Sequence, residues 1–326
     1  MRFVVRRVLP VLVVASIAAQ AFLTAQDRVK PAKRPTVPPP RKWDDSVVKA
    51  FFENALDQLV GTRPDFNAER GAGGGNSPAG SDPAAPAAGN DGADGFAWSA
   101  LIAAEALESE IKTNTTELAA VVSNPGRFKG GTYEDARRLF STTAVMLGII
   151  ARYDGEVRWQ DQAEMLCDRV GHAGFNCKVG TDQSHNEAKL RQEDLNQLLR
   201  GGNVEGEAPA ETPPWSAVSD RPPLMKRMDA AKEERLLKWT ASTQELNAHR
   251  EEALHEAQLL AAFAQVIQDG GYESATDEAY LGFARQLQAG ALEVIEALKA
   301  DDINRAQTAM GNVTKACNGC HGDYKG

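Results

Sequence analysis

From Phe96 to the carboxyl terminus, apolar residues return every three or four positions, and no alternating run of strand length interrupts them. That spacing gathers them on one face of an α-helix, whereas a half-buried strand needs them at every second position. Leu101, Ile102, Ala106, Leu107 and Ile111 form one stripe; Ala136, Leu139, Phe140, Thr143, Leu147 and Ile150 form another. Gly130-Gly131 and Asp154-Gly155 punctuate them, as chain reversals do. The pattern predicts an all-α chain of two helical bundle domains, the carboxyl-terminal one an antiparallel four-helix bundle.

A length of 326 residues allows two domains at roughly 100–200 residues each. Residues 1–25 have the form of a signal peptide. Arg2, Arg6 and Arg7 open it, an apolar run from Val8 to Leu23 follows, and Ala19, Ala21 and Ala25 supply small residues for a cut. Cleavage after Ala25 is expected, with Ala21 the other site and retention as an anchor the alternative. The run is short of the about 20 apolar residues a comfortable span needs. Either outcome exports the body of the chain, to the periplasm or beyond, and a membrane anchor follows only if the leader is kept. Residues 26–43, with Pro31, Pro35 and Pro38–Pro40, are expected as a stiff extended spacer. Residues 44–200 form the first helical domain. It opens on a helix over Asp44–Val60 and carries a Gly/Ala/Pro-rich flexible loop at 71–95. Residues 201–220, rich in Gly, Pro and Glu, form a linker to the second domain, 221–326.

A formal net charge of -9 and the absence of any basic stripe exclude a nucleic-acid partner. The same balance disfavours an anionic membrane surface and favours a cationic partner or none. Four cysteines are too few for a disulfide scaffold.

In the second domain the expected helices run Leu224–Trp239, Gln244–Gln268, Asp277–Lys299 with Thr276 as N-cap, and onward from Asp301-Asp302. Asp269-Gly270-Gly271 ends the second. The inward positions of the last are Ile303, Ala306, Met310, Val313, Cys317 and Cys320, alternating steps of three and four as a bundle seam does. That seam ends in Cys317-Asn318-Gly319-Cys320-His321. C-x-x-C-H is the attachment signature of c-type haem. Two thiols three residues apart share a helix face, where each can add to a haem vinyl group, and the next residue offers its imidazole to the iron. A thioredoxin-like site would need a preceding strand. A zinc site would need further ligands, for which only the isolated His249 and His255 stand by. A Cys317–Cys320 disulfide would leave His321 unexplained. The expectation is one covalently attached haem c per chain, held by Cys317 and Cys320, with His321 as proximal iron ligand.

Cys317-Asn-Gly-Cys-His-Gly-Asp-Tyr324-Lys325 at the end of a fourth helix resembles the class II c-type cytochromes, the cytochrome c-prime family. The likeness covers about a third of the chain, Leu224–Gly326. Tyr324 matches the family's aromatic, and Lys325 stands near the haem where Arg is usual. The resemblance implies a four-helix bundle with one haem, an iron that is often five-coordinate, and a first-helix side chain over its far face. Met225 and Met228 occupy that helix as candidate distal ligands or as core filler. A thioether on the iron favours electron carriage. An open apolar face admits small uncharged gases.

The first domain resembles a worn copy of the second: Lys129-Gly-Gly-Thr-Tyr133-Glu echoes Asp269-Gly-Gly-Tyr272-Glu. Its Cys177 has no C-x-x-C-H around it, so this copy is expected to be haem-free. Cys167 and Cys177 either bridge or stay free, and His172 and His185 are isolated histidines. The functional expectation is an exported mono-haem cytochrome that carries single electrons to a redox partner protein, with the first domain as docking element. Family members often pair, so a homodimer is the associated expectation. The alternative is a five-coordinate sensor or scavenger of NO or CO. No distal acid–base constellation is visible, so the chain is not expected to be an enzyme.

Overall fold

A computed structural model describes residues 96–325. The leader, the Pro-rich spacer, the helix over 44–60 and the loop at 71–95 lie outside the described residues. Within them the all-α expectation holds: eight helices have nine residues or more, and no strand is present among the described residues. They are α1 Ala104–Val122, α2 Tyr133–Ala151, α3 Gln160–Asn176, α4 Asp182–Leu199, α5 Arg221–Asp229, α6 Arg250–Val266, α7 Glu278–Lys299 and α8 Ile303–Tyr324. No described helix is long and apolar enough to cross a membrane.

Local chemistry fixes the ends. Between α1 and α2 the Asn124 side chain accepts from the Arg127 N–H, and a π-helical turn at Phe128–Thr132 follows. Gly131 lies there at φ 148°, a value glycine adopts without the Cβ penalty. Thr181 and Ser184 exchange side-chain and backbone hydrogen bonds at the start of α4, which satisfies donors that a helix start otherwise leaves orphaned. Residue by residue from Leu139 to Ile150, α2 is buried on every side. It is therefore the central rod of the amino-terminal half, with α1, α3 and α5 packed around it.

In the carboxyl-terminal half most of the expected inward positions are buried, while Phe283, Ile303, Cys317 and Cys320 are half-buried. Leu246, Ala253, Ala257, Leu260, Ala264 and Ile267 are buried, as are Tyr280, Leu287, Ala291, Val294 and Leu298, then Ala306, Met310 and Val313. Full burial of each larger aliphatic contributes about 1.5–3 kcal/mol relative to exposure. Three details differ from expectation. The N-cap of α7 is Asp277, whose Oδ1 accepts from the Ala279 N–H, rather than Thr276. The second helix is broken at His249, between Thr243–Ala248 and α6, and the His249 ring stacks on Trp239 with centroids 5.0 Å apart. The first helix, α5, continues through a π-helical stretch Ala230–Leu236 into Leu237–Trp239.

The chain does not part at 201–220. Val204 and Val218 are buried, the Trp215 ring packs edge-on against Trp98 at 5.5 Å, and Arg152 lies over its face at 4.3 Å. Gly171 admits the Val218 carbonyl so closely that a Cβ would lie 2.8 Å from it. Arg227 on α5 is only 4% exposed and makes two hydrogen bonds to Glu110 of α1, at 2.8 and 3.0 Å. Two more reach Glu256 of α6, at 2.7 and 3.1 Å. All described residues belong to one compact unit.

Two outcomes follow from this packing. A Cβ on Gly290 would lie 2.9 Å from Val313 Cγ2 and 3.2 Å from its backbone nitrogen. Gly290→Ala should therefore wedge α7 from α8 and cost about 1–3 kcal/mol, read as a lower urea midpoint at unchanged slope. Burial alone would raise the pKa of Glu110, but hydrogen bonds from His255 and Arg227 outweigh it and hold the carboxyl at about 2. Its ionised form stabilises the fold fully above its usual pKa of 4.5, and that contribution fades as pH falls from there to about 2. The expected loss is on the order of 3 kcal/mol. Melting temperatures measured across this window should fall steeply in the wild type and less steeply in Glu110→Gln.

Candidate functional site

The last two turns of α8 carry Cys317, Cys320 and His321, at i, i+3 and i+4. One helix turn separates them, so all three present to the same side. They line a cleft shared with Ala316 of α8. Ile267 beyond α6 and Phe283, Ala284 and Leu287 of α7 form its second wall. The third wall comes from α5 and its π-helical continuation, through Met225, Met228, Asp229 and Lys232. The expected cofactor residues Cys317, Cys320 and His321 and both expected methionines thus meet in one place. Met228 is 6% exposed, while Met225 is half-buried. Lys325 lies past the end of α8 and does not line the cleft.

Gly319, between the two cysteines, is required by its neighbour: a Cβ there would come within 2.5 Å of the Phe283 ring. The ring consequently rests on the C-x-x-C turn itself. Tyr324 is the last residue of α8. Its hydroxyl donates to Asp277 Oδ2 at 2.8 Å, and its ring meets Tyr280 edge-on at 5.5 Å. The end of α8 is thereby pinned to the start of α7.

Electrostatics leave the three donors neutral. Burial raises the Cys317 and Cys320 thiols. His321 is lowered, first by burial and then by the charges of Lys325 and Lys232. A neutral imidazole is the metal-binding form. As folded the cavity is narrow, about 40 Å³, against about 300–1,000 Å³ for an ordinary ligand pocket. The donor set and the apolar walls suit a haem, whose entry would have to widen the cleft.

Lys232 was not anticipated. It follows Met225 and Met228 at i+7 and i+4, the spacing of one helix face, and that spacing is the signal that finds it. Its side chain is 8% exposed, with Nζ 2.8 Å from Glu233. Burial alone would lower its pKa, but the hydrogen bond to Glu233 raises it, so the ammonium persists.

Nothing comparable exists among the described residues of the amino-terminal half. Cys167 and Cys177 do not bridge: both are free and buried. They lie ten residues apart along α3 and its C-cap, about 15 Å at 1.5 Å per residue, beyond the about 7 Å a disulfide tolerates. Burial pushes each thiol up to about 12. His172 is exposed beside Asp168. His185 is buried, with Nε2 2.9 Å from the Val122 carbonyl oxygen and its ring edge-on to Phe128. His249 and His255 lie outside the cleft, and His255 Nε2 is 3.1 Å from Glu110 Oε2. Among the described residues no group of three or more His, Cys, Asp or Glu is placed to hold a metal ion.

No protein-family model, no curated protein and no solved structure matches the chain. For the chain before any cofactor is attached, brief iodoacetamide treatment should label Cys320 and Cys317 about a hundredfold faster than Cys167 and Cys177. Peptide mass mapping reads the ratio.

Proposed function

We propose that this chain is an exported mono-haem c-type cytochrome that carries single electrons. One observation carries the reading: two thiols and a neutral imidazole share one face of α8, in an apolar cleft faced by two methionines from α5. Cys317 and Cys320 would hold the macrocycle as thioethers, and His321 would ligate the iron from the same side. Haem bound there supplies a one-electron iron couple.

The chain's own residues set the surroundings. Ile267, Leu287 and Ala316 keep water from the cleft, and Lys232 keeps one fixed positive charge in its wall. Of the two methionines, Met228 is the more enclosed and is the proposed sixth ligand. The rival reading, a five-coordinate iron that binds NO or CO, draws on the apolar character of the same wall, which suits an uncharged diatomic. No catalytic residue belongs to either reading. The partner is a redox protein, and the amino-terminal leader sends the mature chain to the periplasm or beyond.

Intact-mass measurement of material matured in a strain competent for haem attachment should show one added porphyrin, lost in Cys317→Ser/Cys320→Ser. The reduced protein should be low-spin and unmoved by CO, and Met228→Leu should open it to CO. A wild-type spectrum that shifts with CO would overturn the carrier in favour of the gas-binding reading. Mass without porphyrin would overturn both.

A further inference from the structure

The α5 helix serves two structures at once. Toward the cleft it shows Met225, Met228 and, through its π-helical continuation, Lys232. Away from it, Arg227 enters a buried bridge. At about 100° per residue, Arg227 lies roughly 200° around the helix from Met225, so the two faces are distinct. Four of the five guanidinium N–H donors are satisfied by two carboxylates, each 4% exposed. Glu110 belongs to α1 in the amino-terminal half and Glu256 to α6 in the carboxyl-terminal half. Arg235, one turn beyond Lys232, also donates to Glu256.

A planar fork gripped on both edges fixes direction as well as distance. Other charged links of α5 are weaker or end on its first turn. Lys226 reaches Glu134 at 3.5 Å between exposed side chains, and Arg221 donates to the Glu273 carbonyl oxygen.

We propose that Arg227, clamped by Glu110 and Glu256, is the positioning residue for the cleft wall opposite His321, so that the amino-terminal half sets the distal side of the haem site through Glu110. This rests on the haem reading above. It gives the first half a task inside the molecule besides any docking: it holds α5 at the rotation that turns Met228 and Lys232 toward the cleft.

The test uses the full-length matured chain and two variants. Glu110→Gln weakens one side of the clamp. Arg227→Met/Arg235→Met/Glu110→Leu/Glu256→Leu removes both cations and both anions together, a replacement that well-packed proteins tolerate and that keeps the experiment decisive if the single variant does not fold. Glu251→Gln, a nearby carboxylate with no bond to Arg227, is the control. Both variants should keep one porphyrin by mass, because the thiols sit on α8. Backbone hydrogen exchange over 221–236 should quicken about tenfold or more, with 278–299 unchanged. The low-spin fraction of the reduced protein should fall, and CO, which leaves the wild-type spectrum unmoved, should shift that of both variants. Wild-type exchange, spectrum and indifference to CO in a folded variant would overturn the inference while leaving the haem reading intact. Exchange quickened equally over 278–299 would overturn it too, reducing Arg227 to a general stabiliser. A wild type without porphyrin would sink the haem reading instead, and hydrogen exchange on that chain would still decide whether Arg227 orients the wall.

Discussion

A guanidinium keeps its proton at any pH a folded protein survives, so burying Arg227 to 4% exposure commits the chain to supply carboxylates beside it. It supplies two, and the balance is closed by Arg235 on Glu256, giving two cations and two anions with no demand on the charge of His255. Such a cluster adds little net stability over a well-packed apolar substitute, yet removing one member costs about 3–5 kcal/mol because the others are left buried and unpaired. Its value lies in selection. A wrong rotation of α5, or a wrong docking of α1 against α6, leaves charges without partners. The bridge therefore picks out one arrangement of the halves from the many that amphipathic helices permit, and the single compact unit follows.

The cleft inherits that arrangement. Two of its walls belong to one hairpin, α7 with α8, held by Gly290 against Val313 and by Tyr324 on Asp277. Those contacts are local in sequence and depend on nothing in the first half. The third wall, α5, packs against α2 and bonds to α1 as well as to α6. Thiols and imidazole thus stand on the part of the fold held by contacts local in sequence. The wall that faces His321 from across the cleft stands on the part that needs both halves. The two sides of the cleft are separated by construction, and a change in the amino-terminal half has a physical route to one without the other.

Much of this was legible in the sequence, for reasons that also explain what was not. The seam Ala306, Met310, Val313, Cys317, Cys320 was readable because a helix repeats every three to four residues, and the C-x-x-C-H signature because its chemistry is compressed into one turn. Helix ends were readable to within about three residues, with Arg221 rather than Leu224 opening the first helix of the second domain; Asp277 took the capping role assigned to Thr276. The Arg227–Glu110 bridge spans 117 residues, and nothing local distinguishes either from a solvated surface charge. The 201–220 stretch has the composition of a tether, but composition averages over Trp215 and Val218, two side chains that anchor it. Cys167 and Cys177 were open to a disulfide only while α3 was treated as a stretch of sequence; as a rod from Gln160 to Asn176 it holds them apart.

The difference between the halves can be argued from the same geometry. Each contains a helix hairpin, α2 with α3 and α7 with α8, following a Gly-Gly turn. Leu139 to Ile150 of α2 are buried without interruption, so that hairpin fills its space with side chains. In α7, burial is confined to a stripe from Tyr280 through Leu287 and Val294 to Leu298, and the half-buried Phe283 borders the cleft. The cysteines diverge in the same way. Cys320 has a further turn of helix after it, long enough to carry His321 onto its own face and Tyr324 beyond. Cys177 is itself the C-cap, so no helix remains after it to bring an imidazole alongside. Placing C-x-x-C-H at residues 174–178 of the first half would give neither the face nor the cleft, because the helix ends where the motif would have to begin presenting its ligand.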